Sequence, residues 1–258
     1  MLLGLAVCAW VFAPVRGGKE AAQQDLGTYR LSFGLVVAVL VLNFVLTLPL
    51  ALNGDDDRVF STTTFALAAV ATQVPILVVV FARLIGPGAV SWQQIGLRPL
   101  PLTRIVSVGV AVGLVGLLLT ITAQLLLSQI GLRPNQFEQF DFVRRGGPLG
   151  LAVVLLLGSI TAPFVEELFF RGVLFGLVRR RRSLLEAYVV SGALFAAAHL
   201  VPARMNAAQM AGLAIGIFVL GSVLAWAYQR TGSLYPGMLA HALNNATGLI
   251  LLYSFEPP

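Results

Sequence analysis

Long apolar blocks separated by short cation-bearing stretches constrain this chain more than any other feature. Seven such blocks run over about 31–52, 61–85, 105–130, 148–178, 184–200, 205–228 and 233–254. A helix needs roughly 20 apolar residues to cross a bilayer, because backbone N–H and C=O groups find no water there and must pair within their own segment. At that rate the 258 residues hold about seven or eight crossings, with little left for a soluble domain. The predicted fold is therefore all-α: a polytopic transmembrane bundle of about 7–8 helices whose first partner is the lipid bilayer. Only 11% of residues are charged and 58% are hydrophobic, where a soluble domain carries about 25% charge. This excludes an ordinary soluble enzyme, a disordered chain and a nucleic-acid binder. The net charge of +6 does not reopen the last class, because the cations sit between the apolar blocks, as cytoplasmic loop cations do. One cysteine, Cys8, excludes internal disulfides and a cysteine-built metal site.

The block Leu2 to Pro14 is short for a crossing and lacks the basic start of a signal peptide. It reads as a short first helix or as one truncated at a wrong start codon. If the helices alternate, Arg16, Lys19, Arg30, Arg83, Arg98, Arg104, Arg179 to Arg182 and Arg230 fall on one side. Arg58 (offset by Asp55, Asp56 and Asp57), Arg133, Arg144, Arg145 and Arg204 fall on the other. The richer side, with Arg179 to Arg182, is expected to be cytoplasmic in a prokaryotic cell membrane. The 148–178 block is too long for one straight span, and Pro163 is expected to break or kink it by removing the bond to the Ser159 carbonyl. Trp92 and Tyr235 are expected at the interface.

Few ionisable groups remain inside the apolar segments. Glu166, Glu167 and Arg171 lie in one, His199 ends another, and His241 and Asn245 share a third. A charge at mid-bilayer costs about 2.5–3.5 kcal/mol on insertion scales, so ionisable groups there carry function by default. Neighbours on a helix point about 100° apart, so Glu166 and Glu167 cannot aim at one spot. Glu167 and Arg171 are i,i+4 and can pair, leaving Glu166 free for chemistry. His241 and Asn245 have the same spacing, and so do Phe195 and His199, where the ring can restrict the imidazole. Glu166, His199 and His241 all come out roughly 16–26 Å from the basic surface at 1.5 Å per residue, so a common depth is open to them. The plainer readings are a helix-stabilising Glu167–Arg171 pair and hydrogen-bonded packing histidines. Two histidines, a free glutamate and an asparagine together in apolar helices weigh against them.

Glu166-Glu167-Leu-Phe-Phe-Arg171, Phe195-Ala-Ala-Ala-His199 and His241-Ala-Leu-Asn-Asn245 occur in this order. They resemble the E-E-x-x-x-R, F-x-x-x-H and H-x-x-x-N/D motifs of the CPBP (Abi) family of intramembrane proteases, which includes the type II CAAX prenyl endopeptidases. Trp92-Gln-Gln-Ile-Gly-Leu-Arg98-Pro and Thr231-Gly-Ser-Leu-Tyr-Pro-Gly match softer features of that family. The resemblance spans about residues 90–254. It implies a protease core over 90–258, preceded by transmembrane helices over 1–89, and a hydrophilic cavity inside the membrane. It further implies hydrolysis of a peptide bond in a membrane-associated protein or peptide. Carried over by position, Glu166 and His199 activate the attacking water, His241 and Asn245 stabilise the oxyanion, and Glu167 and Arg171 organise the site. A carboxylate in low dielectric is suited to such base work, and each oxyanion donor is worth about 3–4 kcal/mol in soluble proteases.

Metal dependence stays open in the sequence. Glu166, His199 and His241 can supply a Glu/His/His set for Zn2+, but no H-E-x-x-H helix occurs, and the favoured reading requires no cofactor. Two rival functions remain: a catalytically silent membrane adaptor or bacteriocin-type immunity protein of the same family, and a proton-coupled transporter using Glu166 and the histidines as a relay.

Overall fold

The computed structural model describes Gly34 and residues 61–132, 142–200 and 206–254. The expected 31–52 span, the Leu2 to Pro14 block with Cys8, and Arg16, Lys19, Arg30, Arg58, Arg133 and Arg204 lie outside the described residues. Among the described residues no strand occurs. Among the described residues the main helices, in chain order, are α1 (Thr62–Ile85), α2 (Leu102–Gln129), α3 (Gly147–Arg181), α4 (Leu184–Ala198), α5 (Ala207–Thr231) and α6 (Tyr235–Ser254). Four of them, α1, α2, α3 and α5, are long and apolar enough to cross a membrane. Each segment expected from 61 onward is helical, with ends displaced by a few residues, but α4 and α6, expected as spans, are not among the helices long and apolar enough to cross.

The helix ends are written locally. Ser61, Ser183 and Asn206 cap α1, α4 and α5, each side chain accepting from the backbone N–H three residues on. Such caps satisfy donors that the first turn leaves open. Gly232 closes α5 in the left-handed conformation, φ 64°, which glycine adopts without a Cβ clash.

The helix α3 departs from the expected break. It runs unbroken for 35 residues, and Pro163 is accommodated by widening the helix. Two π-helical segments, Leu156–Thr161 and Leu168–Phe175, flank the stretch Ala162–Glu167. In the first of these the Ala162 N–H bonds the Leu157 carbonyl, five residues back. The next bond in that register would join Pro163 to the Gly158 carbonyl, and proline has no N–H to give. The Asn245 side-chain nitrogen, from α6, donates to Gly158 O instead at 2.8 Å. The carbonyl orphaned by Pro163 is thus that of Gly158, because the register is π rather than α.

Close approach between backbones holds the bundle together. On α2, a Cβ at Gly109 would stand 2.8 Å from Leu239 Cδ2, and one at Gly113 would stand 3.4 Å from Ala240 Cα. Small residues at such seams let helices pack where lipid supplies no hydrophobic drive between them. Asn244 adds a tie across the seam, donating to Gly113 O at 3.1 Å.

The segment between α1 and α2 folds into the core. Ile95 is fully buried, and its carbonyl lies where a Cβ on Gly172 would come within 2.6 Å. Gly96, at φ 100°, turns the chain against the Tyr228 ring. The Leu234 N–H donates to Gly96 O at 2.8 Å, and the Ser233 hydroxyl donates to Arg98 O at 2.7 Å. This loop therefore fixes the start of α6 against the middle of α3. Trp92 is half exposed and packs at a tilt against Phe81, ring centroids 5.3 Å apart, in keeping with an interfacial ring. Tyr235 instead packs against the core.

Candidate active site

The three motifs arrive at one point on three helices. Glu166, Glu167 and Arg171 come from α3, His199 caps the C-terminal end of α4, and His241 lies in the second turn of α6. Arg171 and Glu167 are fully buried and pair, Nη1 to Oε1 at 2.7 Å. The i,i+4 spacing predicted this bond. Arg171 Nη2 also donates to the Gly221 carbonyl of α5 at 2.9 Å, and the guanidinium lies 4.4 Å from the Phe195 ring centroid. A buried guanidinium needs this many partners to offset the loss of water.

Glu166 points away from that pair, toward both histidines. Its Oε2 is 3.5 Å from His199 Nε2 and 3.7 Å from His241 Nε2. These are ion-pair distances, longer than a well-formed hydrogen bond. The far side of each ring is anchored. His199 Nδ1 lies 2.8 Å from the Phe195 carbonyl oxygen. His241 Nδ1 lies 3.2 Å from Glu167 Oε1. Both of those partners accept, so each ring carries its N–H at Nδ1 and turns Nε2 to Glu166.

Phe195 packs beside both imidazoles, with ring centroids 4.6 Å from His199 and 5.5 Å from His241. The first contact follows from the F-x-x-x-H spacing. The second joins α4 to α6, and no spacing signals it. Glycines make the room: a Cβ on Gly237 would sit 3.1 Å from Glu167 Oε2, and one on Gly221 would sit 3.0 Å from Phe195 Cδ1. Gly237 belongs to the Tyr-Pro-Gly stretch noted in the sequence, whereas nothing in the sequence singled out Gly221 or Gly158.

Asn245 lies one turn beyond His241, as its spacing requires, but its amide nitrogen is engaged by Gly158 O. One of its two N–H groups is spent there. Burial grades across the cluster: Glu167, Arg171 and His241 are at most 1% exposed, whereas the side chains of Glu166 and His199 are 22% and 33% exposed. A separate polar cleft of about 660 Å³, lined by Ser91, Gln93, Gln94, Arg98 and Pro99, sits on the docked loop rather than on this cluster.

Glu166, His199 and His241 are the residues that would hold a zinc ion. Among the described residues no group of three or more His, Cys, Asp or Glu side chains converges as a metal-holding set. No step below passes through a metal.

Known proteins bear on the same segment. No curated protein and no solved structure matches the chain. Residues 148–247 match the family described as Type II CAAX prenyl endopeptidase Rce1-like. That stretch contains all three motifs and every side chain of the cluster. With four long apolar helices in the chain, it is an integral membrane protein whose residues 148–247 are similar to the Rce1-like family of type II CAAX prenyl endopeptidases.

Proposed function

We propose that the protein is an intramembrane endopeptidase that cleaves a peptide bond of a membrane-associated protein or peptide with water activated by Glu166 and His199. The observation that carries this reading is the position of Glu166. Its carboxylate faces two imidazole nitrogens at 3.5 and 3.7 Å, while its neighbour Glu167 is bound to Arg171. A carboxylate held by no arginine, facing two ring nitrogens with its side chain 22% exposed, is not explained by packing alone. A water between Glu166 Oε2 and His199 Nε2 lies within one hydrogen bond of both bases. Its oxygen attacks the carbonyl carbon, and its proton passes to Glu166. The tetrahedral intermediate collapses with the C–N bond breaking, and Glu166 returns that proton to the departing amine.

His241 serves the oxyanion. Glu167 holds its Nδ1 side, which fixes the ring with Nε2 turned toward the place where the negative charge develops. Asn245 contributes the second N–H of its amide, the first being held by Gly158 O. Removing one such donor from a soluble protease costs about 10²–10³ in kcat. The docked loop at 91–98 supports the assignment of a working core from about residue 90 onward, because it fixes α6 against α3. The cation excess of the Arg179 to Arg182 side supports a cytoplasmic location for it.

The test is cleavage of membrane-associated reporter peptides by purified protein in detergent or vesicles. Glu166→Gln, His199→Ala and His241→Ala should each abolish cleavage while the protein still inserts and keeps its helical circular dichroism. A chelator should leave cleavage by the unsubstituted protein unchanged. Full cleavage by Glu166→Gln removes the proposed base. A silent adaptor would cleave nothing in any form.

A further inference from the structure

We infer that the cleft on the loop between α1 and α2 is a binding site for a phosphate group, presented by the headgroup of an anionic phospholipid; this stands independently of the protease reading. The first observation is the chemistry of the lining. Ser91, Gln93, Gln94, Arg98 and Pro99 line a space of about 660 Å³, within the range of about 300–1,000 Å³ usual for small-ligand sites. Two of these side chains spend their acceptors on the loop itself. Gln94 Oε1 accepts from the Ser91 N–H at 2.8 Å, and Ser91 Oγ accepts from the Gln94 N–H at 3.2 Å. The first bond fixes the Gln94 amide with its NH2 turned away from the loop backbone, and the Ser91 hydroxyl keeps its proton to donate. Arg98 adds a guanidinium, which only donates. What these three groups offer a ligand is a set of donors around one positive charge.

The second observation is the missing counter-charge. The described residues include three carboxylate side chains, and each is engaged elsewhere. Glu166 and Glu167 belong to the ion cluster, and Glu186 accepts from the Ser183 N–H at the start of α4. Among the described residues Arg98 therefore has no carboxylate beside it, and the planar fork of a guanidinium matches phosphate oxygens two at a time. The third observation is rigidity, since donors held in place before binding lose little freedom on it. The Ile95 N–H donates to Ser91 O at 3.1 Å and the Leu97 N–H to Trp92 O at 2.8 Å. Ile95, Gly96 and Leu97 are buried beneath the lining residues, and the Arg98 carbonyl accepts from the Ser233 hydroxyl at 2.7 Å.

The setting selects a lipid as the source of the phosphate. Trp92, on the same loop, is half exposed against Phe81 of α1, and Leu102, which begins α2, is 74% exposed. An exposed tryptophan beside an apolar helix end sits at headgroup level. A ligand that carries both a phosphate and acyl chains uses the donors and this apolar rim together, whereas free phosphate uses the donors alone. Occupancy has a structural consequence, because the same loop ties the start of α6 to α3 through Gly96 O, Arg98 O and the buried Ile95. A ligand that binds only the folded loop stabilises the whole bundle by mass action.

The test is a titration of full-length protein in an uncharged detergent with short-chain phosphatidylglycerol, with phosphatidylcholine of the same chains, or with inorganic phosphate. Native mass spectrometry counts the lipids retained, and the melting temperature reports occupancy. Phosphatidylglycerol should be retained and should raise the melting temperature. Phosphatidylcholine should do so far less, because the lining offers no carboxylate to its cationic group, and inorganic phosphate at the same concentration should not. Gln94→Glu keeps the oxygen that serves the Ser91 N–H and replaces the outward NH2 with a charged oxygen, and Arg98→Gln removes the cation. Each should raise the half-saturating phosphatidylglycerol concentration by about 10-fold or more, the usual cost of a charge-assisted bond. Arg104→Gln removes an exposed cation of α2 outside the cleft and should leave that concentration within about 2-fold. An equal loss in Arg104→Gln shows diffuse attraction to a basic surface and overturns the site, as does an unchanged titration in Gln94→Glu and Arg98→Gln. Inorganic phosphate as effective as phosphatidylglycerol overturns the lipid as its source. If one cleft variant fails to fold the other decides; if both fail, equal retention of the two lipids by the unsubstituted protein overturns the proposal and preference for phosphatidylglycerol upholds it.

Discussion

Arg171 holds the site's charges apart at the level of single residues. It is fully buried and bonded to Glu167, to the Gly221 carbonyl and to the face of Phe195. Truncating it leaves Glu167 in a dry interior without its cation, and breaking such a pair by removing one partner typically costs about 3–5 kcal/mol. Arg171→Ala should therefore melt in detergent well below the unsubstituted protein. Glu166→Gln, which removes a carboxylate that is partly exposed and bound to no cation, should melt close to it. Equal melting temperatures for the two variants would refute this division between a structural glutamate and a free one. The division was legible in the sequence, because i,i+4 spacing puts Glu167 with Arg171 and turns Glu166 away. The Nδ1 contact of His241 with Glu167 was not, since 74 residues separate them and only the packing of α6 on α3 brings them together.

The π-helical segment of α3 is where one element depends on another. Pro163 cannot serve the Gly158 carbonyl, and Asn245 does so from α6. A buried acceptor left without its donor costs about 1–3 kcal/mol, so Asn245→Ala should destabilise the fold in addition to any loss of activity. Pro163→Ala restores a backbone N–H in the position that π register requires. In that background Asn245→Ala should cost less, by about 0.5–1.5 kcal/mol, the usual worth of one hydrogen bond. Denaturation of both single variants and the double variant measures the coupling directly; strictly additive costs would show that Asn245 does not stand in for the missing N–H. Cleavage should stay low in the double variant, because the amide is gone from beside His241. The sequence announced trouble at Pro163 but placed it at Ser159, the α-helical partner. A shift of one residue in hydrogen-bond register is set by the fit of α3 against α6 and leaves no mark in composition or periodicity.

At the scale of the whole molecule, the outer surface reads as the apolar blocks foretold. Leu67, Val70, Val74 and Val78 on α1 and Leu114, Leu118 and Leu125 on α2 are all between 49% and 66% exposed. On a soluble protein such a surface would drive association; on a bundle in a bilayer it is the lipid contact. The two settings differ in how they treat a charge. In water, Leu118→Arg would relieve an exposed apolar patch at no cost. In a bilayer, Leu118 lies near the middle of α2, 63% exposed, where an arginine costs about 2.5–3.5 kcal/mol on insertion scales and more where the head cannot reach the surface. Leu102 begins the same helix and is 74% exposed, so an arginine there can snorkel to the headgroups. Leu118→Arg should thus sharply reduce the fraction of protein that resists carbonate extraction from membranes, and Leu102→Arg should leave it nearly unchanged. Equal extraction of the two variants would mean that the middle of α2 does not face hydrocarbon, and the orientation of the bundle around Glu166 would have to be drawn again.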